Sequence, residues 1–111
     1  MDQPFVSRTF EMGEQEIACI FHRPVREDDD RYRCNYEIAF PTWKRAFRAL
    51  GVDEVQALLH AMGMAHADIL ASDEYQDQRL MWLESRDLGL PLAGGLSPED
   101  FGKSSRKPPK P

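Results

Sequence analysis

Residues 51–72 read GVDEVQALLHAMGMAHADILAS, and this is the one long, strongly periodic stretch of the chain. Gly51 permits a sharp approach to a helix. Asp53 is a favoured N-cap, because its carboxylate can accept from the free N–H groups of the first turn. Gln56 follows at capping-box spacing, and Glu54 places negative charge where the helix dipole favours it. At about 100° per residue, Val55, Leu58, Leu59, Met62, Ala65, His66, Ile69 and Leu70 share one face. That stripe is wide enough to cover a small sheet, and it is the expected core face. The opposite face holds Ala57, His60, Ala61, Met64 and Ala67, with Asp68 as its one charge. No Lys or Arg occurs between Asp53 and Ala71, whereas a solvated helix back usually carries them. The bare face is expected to be covered by the chain's own residues 84–96, by a second copy or by a different protein. Gly63 in mid-helix costs about 1 kcal/mol against Ala.

Working toward the N-terminus, residues 43–50 fit two patterns. Trp43, Ala46, Phe47 and Leu50 have helical spacing. A short turn at Pro41-Thr42 also permits a strand with Phe47 opposite Tyr36 and Ala49 opposite Cys34, and this strand is the reading adopted. It puts Trp43 and Phe47 on the core face, Lys44 and Arg48 outside, and leaves Arg45 as the misfit. Residues 31–40 form the clearest strand, with Tyr32, Cys34, Tyr36, Ile38 and Phe40 on one face. Residues 16–23 alternate with Ile17, Cys19 and Phe21 inward. A hairpin between these two strands pairs Phe21 with Tyr32, Cys19 with Cys34 and Ile17 with Tyr36. The loop 25–30 between them carries Glu27, Asp28, Asp29 and Asp30. A first strand is expected at 7–12, after loose residues 1–6 and before a turn at 13–15. After the helix come a polar loop at 72–78, a short strand around Trp82 at 80–83 and a turn at 87–91.

The predicted fold is therefore α+β: a four-stranded antiparallel meander, one long helix on one face, and a short fifth strand. The expected core is Phe10, Ile17, Cys19, Phe21, Tyr32, Tyr36, Ile38, Phe47, Leu58, Leu59, Met62, Ile69 and Trp82. Residues 1–91 read as a single domain, and 92–111 as a flexible tail rich in Gly, Ser, Pro and Lys.

Composition narrows the function classes. The hydrophobic fraction is 41% and the charged fraction 30%, enough for one modest core in 111 residues. Residues 1–100 carry 10 basic against 19 acidic side chains, or −9, which argues against a phosphate-binding surface. No apolar run reaches 18 residues, so no membrane partner is expected. The start MDQPFVSR lacks the parts of a signal peptide, and two cysteines fit a reducing cytoplasm.

The spacing Cys34-x-Tyr36-x-Ile38, then Gly51-Val52-Asp53-x-x-Gln56-Ala57-Leu58, then Trp82 and Leu88-Gly89-Leu90-Pro91, resembles a family of small bacterial proteins of unassigned function. The resemblance covers roughly residues 7–91. It implies a strand-rich N-terminal half followed by a helix, which favours a strand at 43–50, and it implies no activity.

No nucleophile elbow, P-loop, dinucleotide fingerprint, metal-ligand spacing or paired-carboxylate arrangement is visible, so no catalytic residue, metal or cofactor is assigned. Cys19 and Cys34 read as two reduced buried residues, with a reducible cross-strand bridge as the alternative. His60 and His66 are six apart, unlike the i,i+4 pairs that bind metal from one helix. The leading functional expectation is a non-catalytic cytoplasmic binding protein, of immunity or inhibitor type, for a basic toxin or effector. Its contacts would come from Glu27, Asp28, Asp29 and Asp30 and from Ala57, His60, Ala61 and Met64. The alternative is a homodimer, with or without enzyme activity, holding a small ligand between sheet and helix near His66, Tyr36 and Trp82. A third reading uses Lys44, Arg45, Arg48 and the basic tail against nucleic acid, and the acidic body argues against it.

Overall fold

The computed structural model describes residues 3–92. The strands are β1 (Pro4–Met12), β2 (Gln15–His22), β3 (Val25–Asp28), β4 (Arg31–Ala39), β5 (Lys44–Gly51) and β6 (Leu80–Met81). Two helices, α1 (Glu54–Leu70) and α2 (Asp73–Gln76), lie between β5 and β6. The fold is α+β: one six-stranded antiparallel sheet with α1 packed against it. The order runs β3-β4-β2-β1-β6, and β5 pairs with β4.

Met12 pairs with Gln15 across a two-residue turn, and Gly13 supplies its left-handed first position at φ 64°. Pro24 removes a backbone donor and breaks what would otherwise be one long strand into β2 and β3. Both pieces pair with β4, β2 at Tyr36–Ala39 and β3 at Arg31–Arg33. The acidic stretch expected as a loop is thus mostly strand, with the turn confined to Asp29 and Asp30. This extra piece also moves the β2–β4 register four residues from the expected one. Phe21 lies opposite Tyr36 and Cys19 opposite Ile38. Cys34 is then four positions along the strand from the site facing Cys19, about 13 Å away, too far for a disulfide. Both thiols are free and buried.

The β4–β5 register matches the sequence reading, with Phe47 opposite Tyr36 and Ala49 opposite Cys34. Two further corrections are local. Pro4 already belongs to β1, and residues 73–76 form α2. Tyr75, Glu74 and Gln76 are buried there, and the Gln76 side chain donates to the Leu70 carbonyl at 2.6 Å.

The larger correction concerns α1. Its cap is as expected: Asp53 accepts from the Gln56 amide at 2.8 Å, and Gln56 reaches back to the Val52 amide at 2.8 Å. The face turned to the sheet, however, is the small one. Ala57, Ala61 and Ala65 are fully buried, while Val55 and Leu59 are 65% and 50% exposed. The cause is distance. A Cβ on Gly51 would sit 2.4 Å from the Ala57 nitrogen, so helix backbone and β5 are in contact where α1 begins. Alanines at four-residue spacing let the helix stay that close, and leucines would hold it off. The core is Phe10, Ile17, Cys19, Phe21, Cys34, Tyr36, Ile38, Ala49, the alanines, Ile69, Leu70, Leu80 and Leu88. Tyr32, Leu58, Met62 and Trp82 pack on it partly buried. Leu59 and Phe47, expected inside, are half exposed.

Candidate functional site

β5 is where the sequence's misfits come together. Alternation along the strand puts Arg45, Phe47 and Ala49 on the helix side and Lys44, Ala46 and Arg48 on the outer side of the sheet. α1 runs antiparallel beside it, tied to it at two places. His60 Nδ1 lies 2.8 Å from the Leu50 carbonyl, so it carries the proton and donates. Arg45 donates to Asp68 Oδ2 at 3.1 Å, and the Tyr36 hydroxyl donates to the same oxygen at 2.5 Å. Just before β5, Trp43 Nε1 donates to Glu74 Oε2 of α2 at 3.1 Å. The odd cation on the strand and the lone acid on the helix are therefore each other's partners. Burial first, then the Asp68 hydrogen bond, pushes the Tyr36 hydroxyl above its ordinary range. The same carboxylate raises Arg45.

On the outer side Glu37 sits between Lys44, at 2.6 Å, and His22, at 3.3 Å. The Lys44 bond holds the Glu37 carboxyl below its ordinary value. A cleft of about 330 Å³ opens here, lined by His22, Asn35, Tyr36, Ala46, Phe47 and Arg48 along with Glu37. Arg48 is exposed and makes no ion pair among the described residues.

The backbone of β5 decides what this place can do. The two-residue turn after Met12 makes Met12–Gln15 a hydrogen-bonded pair, which sets the alternation across the sheet. Even-numbered residues of β2 then face β4, even-numbered residues of β4 face β5, and odd-numbered residues of β5 face β4. The N–H and C=O groups of Lys44, Ala46, Arg48 and Leu50 therefore point away from the sheet. The His60 contact at the Leu50 carbonyl fits that phase. Lys44, Ala46 and Arg48 keep outward backbone groups that no other strand of the described residues pairs. The β5 pairing with β4 is regular, without a bulge or a proline. The opposite edge of the sheet is managed differently. β1 begins at Pro4, has an irregularity between Pro4 and Val6, and pairs with β6 at Glu11 and Met12. Exposed aromatic rings flank the β5 edge, Trp43 at 45% and Phe47 at 48%. Trp43 stacks on Phe40 at 4.3 Å, and Arg45 lies 5.2 Å from the centre of the Phe47 ring.

The remaining sequence candidates fall elsewhere. Glu27, Asp28 and Asp29 face Arg33, Arg31 and Arg26 at 3.9, 3.7 and 3.7 Å, so the acidic turn is partly neutralised within its own hairpin. The Asp30 amide donates to Asp28. Ala57 and Ala61 are spent against the sheet, while His60 and the half-buried Met64 lie on the flank of α1 beside β5. His66, Tyr36 and Trp82 each have a different neighbour. Tyr36 meets Asp68, Trp82 stacks under Arg8 at 3.7 Å, and His66 Nδ1 lies 3.1 Å from the Pro91 carbonyl. Residues 66 and 68 point about 200° apart around a helix, which separates the first two. His66 is almost wholly buried by α1 and the segment near Leu90, and burial lowers its pKa below 6.5. Among the described residues no group of three or more His, Cys, Asp or Glu could hold a metal ion. No helix there is long and apolar enough to cross a membrane.

A family model matches residues 6–92, nearly all of the described chain. The chain belongs to DUF6968, a domain of unknown function. The DUF6968 match agrees with the resemblance drawn over residues 7–91 to a family of unassigned function. No curated protein and no solved structure matches the chain.

Proposed function

We propose that this chain is a small cytoplasmic protein-binding module without catalytic activity, and that it takes an extended segment of another protein along β5. The observation that carries the reading is the β5 edge itself: eight regular residues with outward backbone groups at 44, 46 and 48, between exposed Trp43 and Phe47. Strand addition uses these two elements together, main-chain bonds for affinity and alternate side chains for specificity. Two reduced, buried cysteines are consistent with a cytoplasmic setting. An inhibitor or immunity-like role toward a basic toxin or effector is the broader form of the proposal. Its support is a described body with 10 basic and 16 acidic residues, net −6, and such a field speeds encounter with a basic partner.

The test is paired affinity capture from host lysate with the full chain and with Ala46→Pro. Proline at this outward amide removes a donor from the edge and leaves the β4 pairing intact. A protein held by the first bait and lost from the second, whose binding slows amide exchange at residues 44, 46 and 48, is the expected result. Identical capture by both baits, or unchanged exchange at β5 in the complex, refutes the reading.

A further inference from the structure

We propose that the segment β5 receives is acidic, alternating Asp or Glu with branched or aromatic apolar residues; this rests on the reading of β5 as a binding edge. The backbone sets the shape. Outward N–H and C=O groups at every second residue can be satisfied together only by another extended chain about 4.8 Å away. The side chains set the composition. An added strand places alternate residues on the two faces of the sheet. On the helix face its residues lie beside Phe47, half exposed, and Arg45, whose charge Asp68 already answers, and below the flank of α1 that carries Met64 and Ala67. That strip favours apolar side chains. On the outer face its residues lie beside Lys44, Ala46 and Arg48.

Charge separates an acidic segment from the alternatives. Residues 41–52 contain three cations and no acid, on a described body of net −6. Asp68 answers Arg45 and Glu37 answers Lys44, so of these three cations Arg48 is the one that no acid among the described residues answers. The cleft of about 330 Å³ beside Ala46 and Arg48 gives a carboxylate room to reach that guanidinium. A second copy of the chain is the wrong occupant. Two β5 strands laid together would oppose six cations with no acid between them, and like charges across a strand pair destabilise it. A basic segment would meet the same repulsion at Arg48, so a partner that is basic as a whole, drawn by the field of the body, must still present an acidic stretch to β5.

The experiment is fluorescence anisotropy of the full chain with a labelled peptide, Gly-Ser-Asp-Val-Glu-Ile-Glu-Val-Gly-Ser, against its counterpart with Lys at the three acidic positions. The acidic peptide should bind at least about tenfold more tightly, and added salt should narrow the difference. Arg48→Glu, which leaves the core untouched, should reverse the preference, and Ala46→Pro should abolish binding of both. Equal binding of the two peptides, a preference unmoved by Arg48→Glu, or no binding of the acidic peptide overturns the acidic-segment inference. So does a doubled mass by sedimentation equilibrium that Ala46→Pro returns to one chain, although strand addition itself would survive that result. If the acidic peptide binds Ala46→Pro as it binds the parent, the inference and the β5 reading fall together.

Discussion

Leu59 and Ala61 are two residues apart on α1, and exchanging their bulk tests which face of the helix carries the fold. Leu59 is half exposed, and Ala61 has no exposed surface. Leu59→Ala removes three carbons. At about 0.8 kcal/mol for each fully buried methylene, half burial makes the loss about 1 kcal/mol. No cavity term is added, because water fills the space. Ala61→Leu adds the same three carbons between helix and sheet, where Ala57 and Ala65 hold the backbone close on either side. Overpacking of a core costs about 1–3 kcal/mol, and the upper end applies where neither backbone can retreat. The expected order is therefore a small loss for Leu59→Ala and a loss of about 3 kcal/mol for Ala61→Leu. Urea unfolding followed by circular dichroism measures both. For a domain of this size each kcal/mol corresponds to about 4–8 °C in Tm. The opposite order refutes the packing argument: a loss of about 2–5 kcal/mol for Leu59→Ala, as for a buried leucine, with Ala61→Leu neutral. Leu59 would then be the inward residue, and the flank of α1 beside β5 would be misassigned.

Gly51→Ala should destabilise the chain by about 3 kcal/mol or more, because the new methyl meets helix backbone at 2.4–2.8 Å and not a side chain that could turn aside; an unchanged urea midpoint would contradict the close approach of β5 and α1. Burial pushes the Cys19 thiol up to about 12, so a thiol reagent at pH 8 should find no reactive cysteine in the native chain and two in denaturant, and a single fast native thiol would count against the core as described. Stability should fall on the acid side in two stages. His66 has a folded pKa below 6.5, so between 6.5 and that lower value the unfolded chain binds more protons and stability drops. Glu37, held below its ordinary 4.5, contributes stability that is complete above 4.5 and is lost as pH falls through its folded value. Denaturation midpoints that stay level from pH 7 down to 5 would rule out the first stage, and His66→Gln should remove that stage alone.

Much of the fold was legible because local signals agreed. Asp53 and Gln56 mark a helix start that no strand pattern competes with, and the short turn at Pro41-Thr42 brings residues 44–51 back along 31–39 in one register. Two things were hidden, each for a physical reason. The β2–β4 register could not be read from alternation, because a shift of four residues leaves every side chain on the same face. Only the presence of β3 beyond Pro24 decides it, and β3 is too polar to read as a strand. The facing of α1 was hidden because bulk was equated with burial. At a helix lying this close to a sheet, the inward positions are those that can be small. The signal for the true facing was present as two isolated charges, Arg45 on a strand face otherwise apolar and Asp68 on a helix face otherwise bare. A buried or half-buried charge needs a partner, so two such misfits on neighbouring elements point to each other. Joining them turns the helix through the angle that the hydrophobic stripe misplaced.

That same pairing bears on why β5 can stay open. A long, flat, unpaired edge invites association between copies, and folded proteins usually blunt it with proline, a bulge or charge. β5 has neither proline nor bulge, and its ties to α1 at Leu50 and Arg45 keep it extended. Charge is the device left, and it acts selectively. Lys44, Arg45 and Arg48 repel a second β5, yet two of the three are already answered within the fold, so the barrier to other strands is concentrated at Arg48. An edge closed to its own kind and open to an acidic segment follows from the placement of one unbalanced guanidinium. On this argument Arg48→Ala does two things at once. It weakens capture of an acidic segment, and it removes the main obstacle to β5–β5 pairing, so dimer should emerge with rising concentration. A variant that loses the segment and still remains a monomer at every concentration would show that something other than charge guards the edge.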